Sequence, residues 1–240
     1  MGLTDPADHT GSIEILNPLT MNASFKRNCL LKTRDFVKKS LSDAEGGHDW
    51  WHVYRVWQLS RQIARTEPVD LFVVELGALL HDIADHKFHG GDEEIGPRTA
   101  GRFLDTLNVS GEVVEHVGNI IANISFKGGK HPRTFHSREL DVVQDADRLD
   151  AMGAIGVARA FNYGGYRGRP MHDPDAIPDS GMARAACKSG HSPTINHFHE
   201  KLLLLKDRMN TPAGKAMAAH RHQFMERFLE EFFLEWNGNV

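Results

Sequence analysis

The chain has 240 residues, of which 40% are hydrophobic, 25% charged and 8% aromatic; this balance excludes disordered and collagen-like classes. Its 28 Lys plus Arg against 32 Asp plus Glu leave a net charge of −4 with histidine neutral, so no global basic field exists for nucleic acid. The two cysteines, Cys29 and Cys187, form neither a CxxC pair nor a disulfide framework, which fits a reducing, cytoplasmic setting.

Residues 1–20, with Pro6, Gly11 and Pro18, read as a flexible leader without the basic-then-apolar pattern of a signal peptide. No run of 18 apolar residues occurs to span a bilayer, and residues 21–240 read as a single domain because no linker-like tract divides them. Phe25, Cys29, Leu30, Phe36 and Val37 recur at roughly helical spacing and predict a helix up to Leu41. A second helix begins after Gly46-Gly47, carries Trp51, Val53, Val56, Trp57, Leu59 and Ile63, and is broken by Pro68. A third runs from about Asp70 to Ala84; its LFVVELGALL stretch is apolar nearly all round, which predicts a position in the middle of a bundle. Further helices are expected at 97–107, 111–124 and 137–161, then a Gly- and Pro-rich loop or lid over 162–194, then helices at 194–209 and 213–236. In the last, Met217, Phe224, Met225, Phe228, Leu229, Phe232, Phe233 and Trp236 form a broad apolar stripe. It is expected to dock on the chain's own core, with a homodimer interface as the alternative. The fold expected is all-α: a compact multi-helix bundle with a long loop region and a C-terminal amphipathic helix.

Fifteen histidines are present, and the informative segments are GHDWWHVYRVW at 47–57, LLHDIADHKF at 79–88 and VVQDADRLDAMGA at 142–154. His81-Asp82 ends a helix expected to be buried, where a carboxylate beside an imidazole is costly unless paired or metal-bound. Imidazole and carboxylate together suit a divalent ion such as Mn, Fe, Co, Zn or Mg. His52 on the preceding helix and an Asp from a later helix would complete a four-ligand set. Spacing alone leaves His48, one helical turn before His52, as a rival, and likewise leaves Asp145 against Asp147.

In order and in their flanks, His52, His81-Asp82 and Asp147 resemble the H…HD…D signature of the HD superfamily of metal-dependent phosphohydrolases. The phrases HDWWHVYRVW, LLHDIADHKF and QDADRLDAMGAIGVAR resemble its small bacterial subgroup, which is all-helical and includes nucleotide pyrophosphatases. The resemblance covers about residues 25–235. It implies His52, His81, Asp82 and Asp147 as ligands of one divalent ion, because the family's His-x-x-Arg and Ala-Asp-Arg-Leu patterns select His52 and Asp147. Asp145 and Asp150 then become residues that orient ligands or cap helices. Asp85, one turn past Asp82, is expected to help activate the attacking water, and Arg55 is expected to join it in catalysis.

Phosphate needs positive charge beyond the metal. Lys87, Arg148, the FKGGKHPR loop at 126–133 with Lys127 and Lys130, and the YGGYRGRP loop at 163–170 with Arg167 are candidate phosphate-binding groups. Tyr163 and Tyr166 are available to stack on a base. The resemblance thus implies hydrolysis of a nucleotide's phosphoester or phosphoanhydride bond, with pyrophosphate release from a nucleoside triphosphate by a metal-activated water as the leading form. A small-molecule nucleotide is the expected partner, without nucleic acid or membrane. Alternatives are an HD-type nucleotidase, phosphodiesterase or alarmone hydrolase, a binuclear oxygenase using His116 or His131, and a nucleotide-binding regulatory module.

Overall fold

The computed structural model describes residues 22–42, 49–83, 94–124, 135–178 and 192–239. All regular structure among the described residues is helical: α1 (Ala23–Ser40), α2 (Trp50–Ile63, continued by a 3-10 turn, Ala64–Thr66), α3 (Leu71–Leu80), α4 (Ile95–Thr106), α5 (Gly111–Ile124), α6 (Arg138–Asp150), α7 (Gly153–Tyr166) and α8 (Pro212–Trp236). Between α7 and α8 lies a composite segment: an α turn at Thr194–His197, a π turn at Phe198–Leu202 and a 3-10 stretch at Leu203–Arg208.

Helix starts follow local chemistry. The side chains of Asn22, Asp49, Asp70, Ser137 and Thr211 accept hydrogen bonds from the backbone N–H groups of Phe25, His52, Phe72, Leu140 and Gly214. Each such cap is worth about 1 kcal/mol. α3 is buried from Phe72 to Leu80 and packs against α1, α2, α5 and α6, so the uniformly apolar stretch is the centre of the bundle. Its one charged residue, Glu75, accepts from Trp57 Nε1 at 3.1 Å and pairs with Arg61 Nε at 3.2 Å; burial pushes its pKa up. No helix among the described residues is long and apolar enough to cross a membrane.

Three expectations need correction. The third helix ends at Leu80 rather than Ala84, and His81–Ile83 form a turn. The stretch 137–161 is two helices, because Met152 is extended (φ −122°, ψ 162°) and Gly153 adopts φ +68°, a conformation an L side chain resists. Residues 162–166 belong to α7, so the irregular region starts only after it. The stripe on α8 meets the chain's own core: Ala218, Met225 and Leu229 are buried, and Met217, Phe228, Phe232 and Phe233 pack against it, whereas Phe224 and Trp236 are exposed.

Candidate metal centre

Three elements converge on one point. α2 contributes His52, in its first turn and 1% exposed; the turn after α3 contributes His81 and Asp82; α6 contributes Asp147. His52 Nε2 lies 3.3 Å from His81 Nε2, 3.4 Å from Asp147 Oδ1 and 3.5 Å from Asp82 Oδ2. His81 Nε2 is 3.7 Å from Asp82 Oδ2. His52, His81 and Asp147 each offer a ligand atom within 4.8 Å of the others.

The outer ring nitrogens set the chemistry of the inner ones. His52 Nδ1 faces Asp150 Oδ2 at 2.8 Å and His81 Nδ1 faces the Ala78 carbonyl at 2.8 Å. Both partners can only accept, so both Nδ1 atoms carry a proton and both Nε2 atoms point inward, free to ligate a metal once any proton on them is displaced. Two lone pairs at 3.3 Å, with carboxylate oxygens beside them, repel unless a cation or a proton sits among them. The donor set therefore fits a divalent ion of borderline or hard character. The same field acts on protons. Burial disfavours the charged form of His52, yet its hydrogen bonds to Asp147 and Asp150 prevail and push its pKa up to about 9. Burial raises Asp147, but the His52 hydrogen bond and the His52 and His81 charges hold it below the usual carboxylate range.

Asp150, 1% exposed, anchors this arrangement. Besides His52 it accepts from Arg55 Nε at 2.6 Å, from a second Arg55 nitrogen at 3.0 Å, and from Arg159 of α7 at 2.8 Å. Burial pushes its carboxyl up, but hydrogen bonds from His52 and Arg55 and the Arg159 charge win and hold it far below the ordinary value. Arg55, expected to join in catalysis, forks onto Asp150, which raises its own pKa. A carboxylate–imidazole pair of this kind fixes ring orientation and raises ligand basicity. Arg159 was not singled out from the sequence; only its place in the QDADRLDAMGAIGVAR phrase signalled it.

The two aspartates that spacing left as rivals part ways. Asp147 faces the histidines, whereas Asp145, fully buried, accepts from the backbone N–H groups of Asn210 and Thr211 and from the Thr211 hydroxyl, at the start of α8. Arg148 donates to the Arg208 carbonyl and lies 3.8 Å from Asp145, fastening the same junction. Arg167 is exposed just past the end of α7. His116, considered for a second ion, contacts Ser137 Oγ at 2.9 Å and Glu139 at 3.5 Å instead of joining the cluster. Asp85, Lys87, Lys127 and Lys130 lie outside the described residues, as do His48 and His131.

The model of the family described as HD domain matches residues 50–152, a span that starts at α2 and holds all four converging residues. The uncharacterized protein YpgQ of Bacillus subtilis (strain 168) is 37% identical over 202 residues, covering 82% of this chain and 89% of YpgQ. The chain belongs to the HD-domain family. An HD-superfamily hydrolase from Bacillus thuringiensis superposes on this HD protein with a TM-score of 0.71, at 43% identity, covering 88% of this chain and 98% of that one. The crystal structure of Bacillus subtilis YpgQ in complex with ADP superposes with a TM-score of 0.70, at 32% identity, covering 87% and 95%. Hydrolase is therefore the broad class to which the fold of this HD protein points.

Proposed function

We propose that the protein is a divalent-metal-dependent phosphohydrolase of nucleotides, and that its preferred reaction is release of pyrophosphate from a nucleoside triphosphate. The observation that carries the reading is the convergence of two imidazole Nε2 atoms and two carboxylates on one point. His52, His81, Asp82 and Asp147 would hold the ion. When bound, the ion supplies Lewis acidity, polarising a phosphoryl oxygen and lowering the pKa of an attacking water. The residues do the remaining work. Asp150, clamped by Arg55 and Arg159, keeps His52 in the tautomer that presents Nε2. Asp85, in the segment after the His81-Asp82 turn, takes the proton of the attacking water on its carboxylate. Lys127, Lys130 and Arg167 neutralise the β- and γ-phosphates, with Lys87 as a further cation. Nucleotide as the substrate class is supported by the YpgQ structure with ADP.

A substrate screen on metal-stripped protein resupplied with Mn, Mg, Co, Zn or Fe(II) tests this reading. Nucleoside triphosphates should yield pyrophosphate and monophosphate only when an ion is present. Phosphate released from monophosphates instead would move the substrate class, and no turnover across triphosphates, monophosphates, cyclic nucleotides and alarmones would contradict the proposal.

A further inference from the structure

The peptide unit between Leu149 and Asp150 is held from a helix that carries none of the four converging residues. Arg221 of α8 donates from Nη1 to the Leu149 carbonyl. Its stem lies along the corner that follows, where a Cβ at Gly153 would meet Arg221 Cγ at 3.0 Å. Backbone contacts close that corner from within. Met152 N–H donates to the same Leu149 carbonyl at 3.0 Å, and a Cβ at Gly156 would lie 2.3 Å from the Ala151 carbonyl oxygen. A peptide unit is planar, so fixing the Leu149 oxygen fixes the plane from which Asp150 leaves the backbone. From there the contacts are continuous: Asp150 Oδ2 faces His52 Nδ1 at 2.8 Å, and His52 Nε2 lies 3.4 Å from Asp147 Oδ1. Charge points the same way. Asp150 is the last residue of α6, at the negative end of the helix, where a carboxylate is disfavoured and a cation welcome. Arg221 brings a cation to that end. Among the described residues no carboxylate forms an ion pair with it; burial lowers its pKa, and the charge that opposes the fall is that of Asp150.

We infer that Arg221 is a positioning residue for His52: by holding the Leu149–Asp150 peptide, it sets the Asp150 carboxylate where it accepts from His52 Nδ1. α8 is then part of the centre's support as well as a cover for the core. The effect on His52 stands by itself, whereas any effect on ion affinity rests on the metal-dependent reading proposed above.

The test uses the full-length, metal-stripped chain and follows the low-field proton resonance of the hydrogen-bonded His52 Nδ1–H, assigned by its loss in His52→Ala. Arg221→Met keeps a stem against Gly153 but removes donor and charge; that proton should exchange with water about tenfold faster, or its signal should vanish. Arg221→Lys, which retains the charge and a donor, should restore the signal in part. If Arg221→Met does not fold, Arg221→Gln takes its place in the comparison. Chelator competition with Mn reads the consequence: affinity should fall roughly tenfold in Arg221→Met, the lower end of what losing support behind a ligating histidine costs, and recover in part in Arg221→Lys. A changed His52 signal with unchanged ion affinity would uphold the role of Arg221 and count against the metal-centre reading. An unchanged signal in Arg221→Met, even in a less stable protein, would overturn the proposal and leave Arg221 to fasten α8 alone. Equal loss in Arg221→Met and Arg221→Lys would overturn it too, by assigning Arg221 to packing.

Discussion

Asp150 joins one imidazole and two guanidinium groups inside the protein, so its charge matters more than its shape. Asp150→Asn keeps the outline but leaves Arg55 and Arg159 without their counterion and lets His52 take the other tautomer. Its affinity for the divalent ion should fall roughly 10–100-fold, the usual effect of losing a carboxylate behind a ligating histidine, and its stability by about 3 kcal/mol. Chelator competition and thermal unfolding measure the two effects; an unchanged ion affinity would deny Asp150 its positioning role. His197 gives a pH prediction with a definite sign. Burial, the largest cause, pushes its folded pKa down to about 4 against 6.5 unfolded, so between those values the unfolded chain binds more protons. The stability from neutral His197 is therefore complete above pH 6.5 and is lost as pH falls toward 4, by at most ~1.4 kcal/mol per pH unit. His197→Leu should flatten that slope. At this scale the four converging residues were legible because motif flanks are local. Asp145 and Asp147 could not be separated by spacing. They lie about 200° apart around α6, and only the neighbours, α8 on one side and His52 on the other, show which faces which.

At the scale of elements, the junction of α6 with α8 is a network rather than a contact of apolar faces. Asp145 caps the start of α8, Arg148 holds the Arg208 carbonyl and Arg221 of α8 donates to the Leu149 carbonyl. Asp145→Ala should lower stability by about 3 kcal/mol, because it strands the Asn210 and Thr211 N–H groups in a buried setting. Denaturant unfolding checks this, and a loss below about 0.5 kcal/mol would mean that water replaces the carboxylate. Helix existence was legible from periodicity, but two breaks were not. Ala151-Met152-Gly153 is apolar enough to continue a helix pattern, and the break rests on one glycine at positive φ. The end of α3 at Leu80 also escapes periodicity, because LLHDI continues the apolar pattern into the turn. That turn explains how adjacent residues His81 and Asp82 both approach His52.

For the whole molecule, α3 is the fixed centre around which the first turn of α2, the end of α3 and the last turns of α6 meet. The bundle makes the cluster rigid, since His52, His81 and Asp150 are buried in it. What the sequence left open is the identity of the substrate. The groups expected to recognise phosphate lie mainly between the periodic stretches of the sequence, while His52 and Asp147 sit on helices and His81-Asp82 in the turn that closes α3. The most direct test of the central claim is a titration of Mn into metal-stripped protein while pyrophosphate release from a nucleoside triphosphate is followed. The single cluster predicts activity that is absent without the ion and saturates at one equivalent per chain. Full activity without added ion, saturation at two equivalents, or a bound ion with no turnover would contradict it.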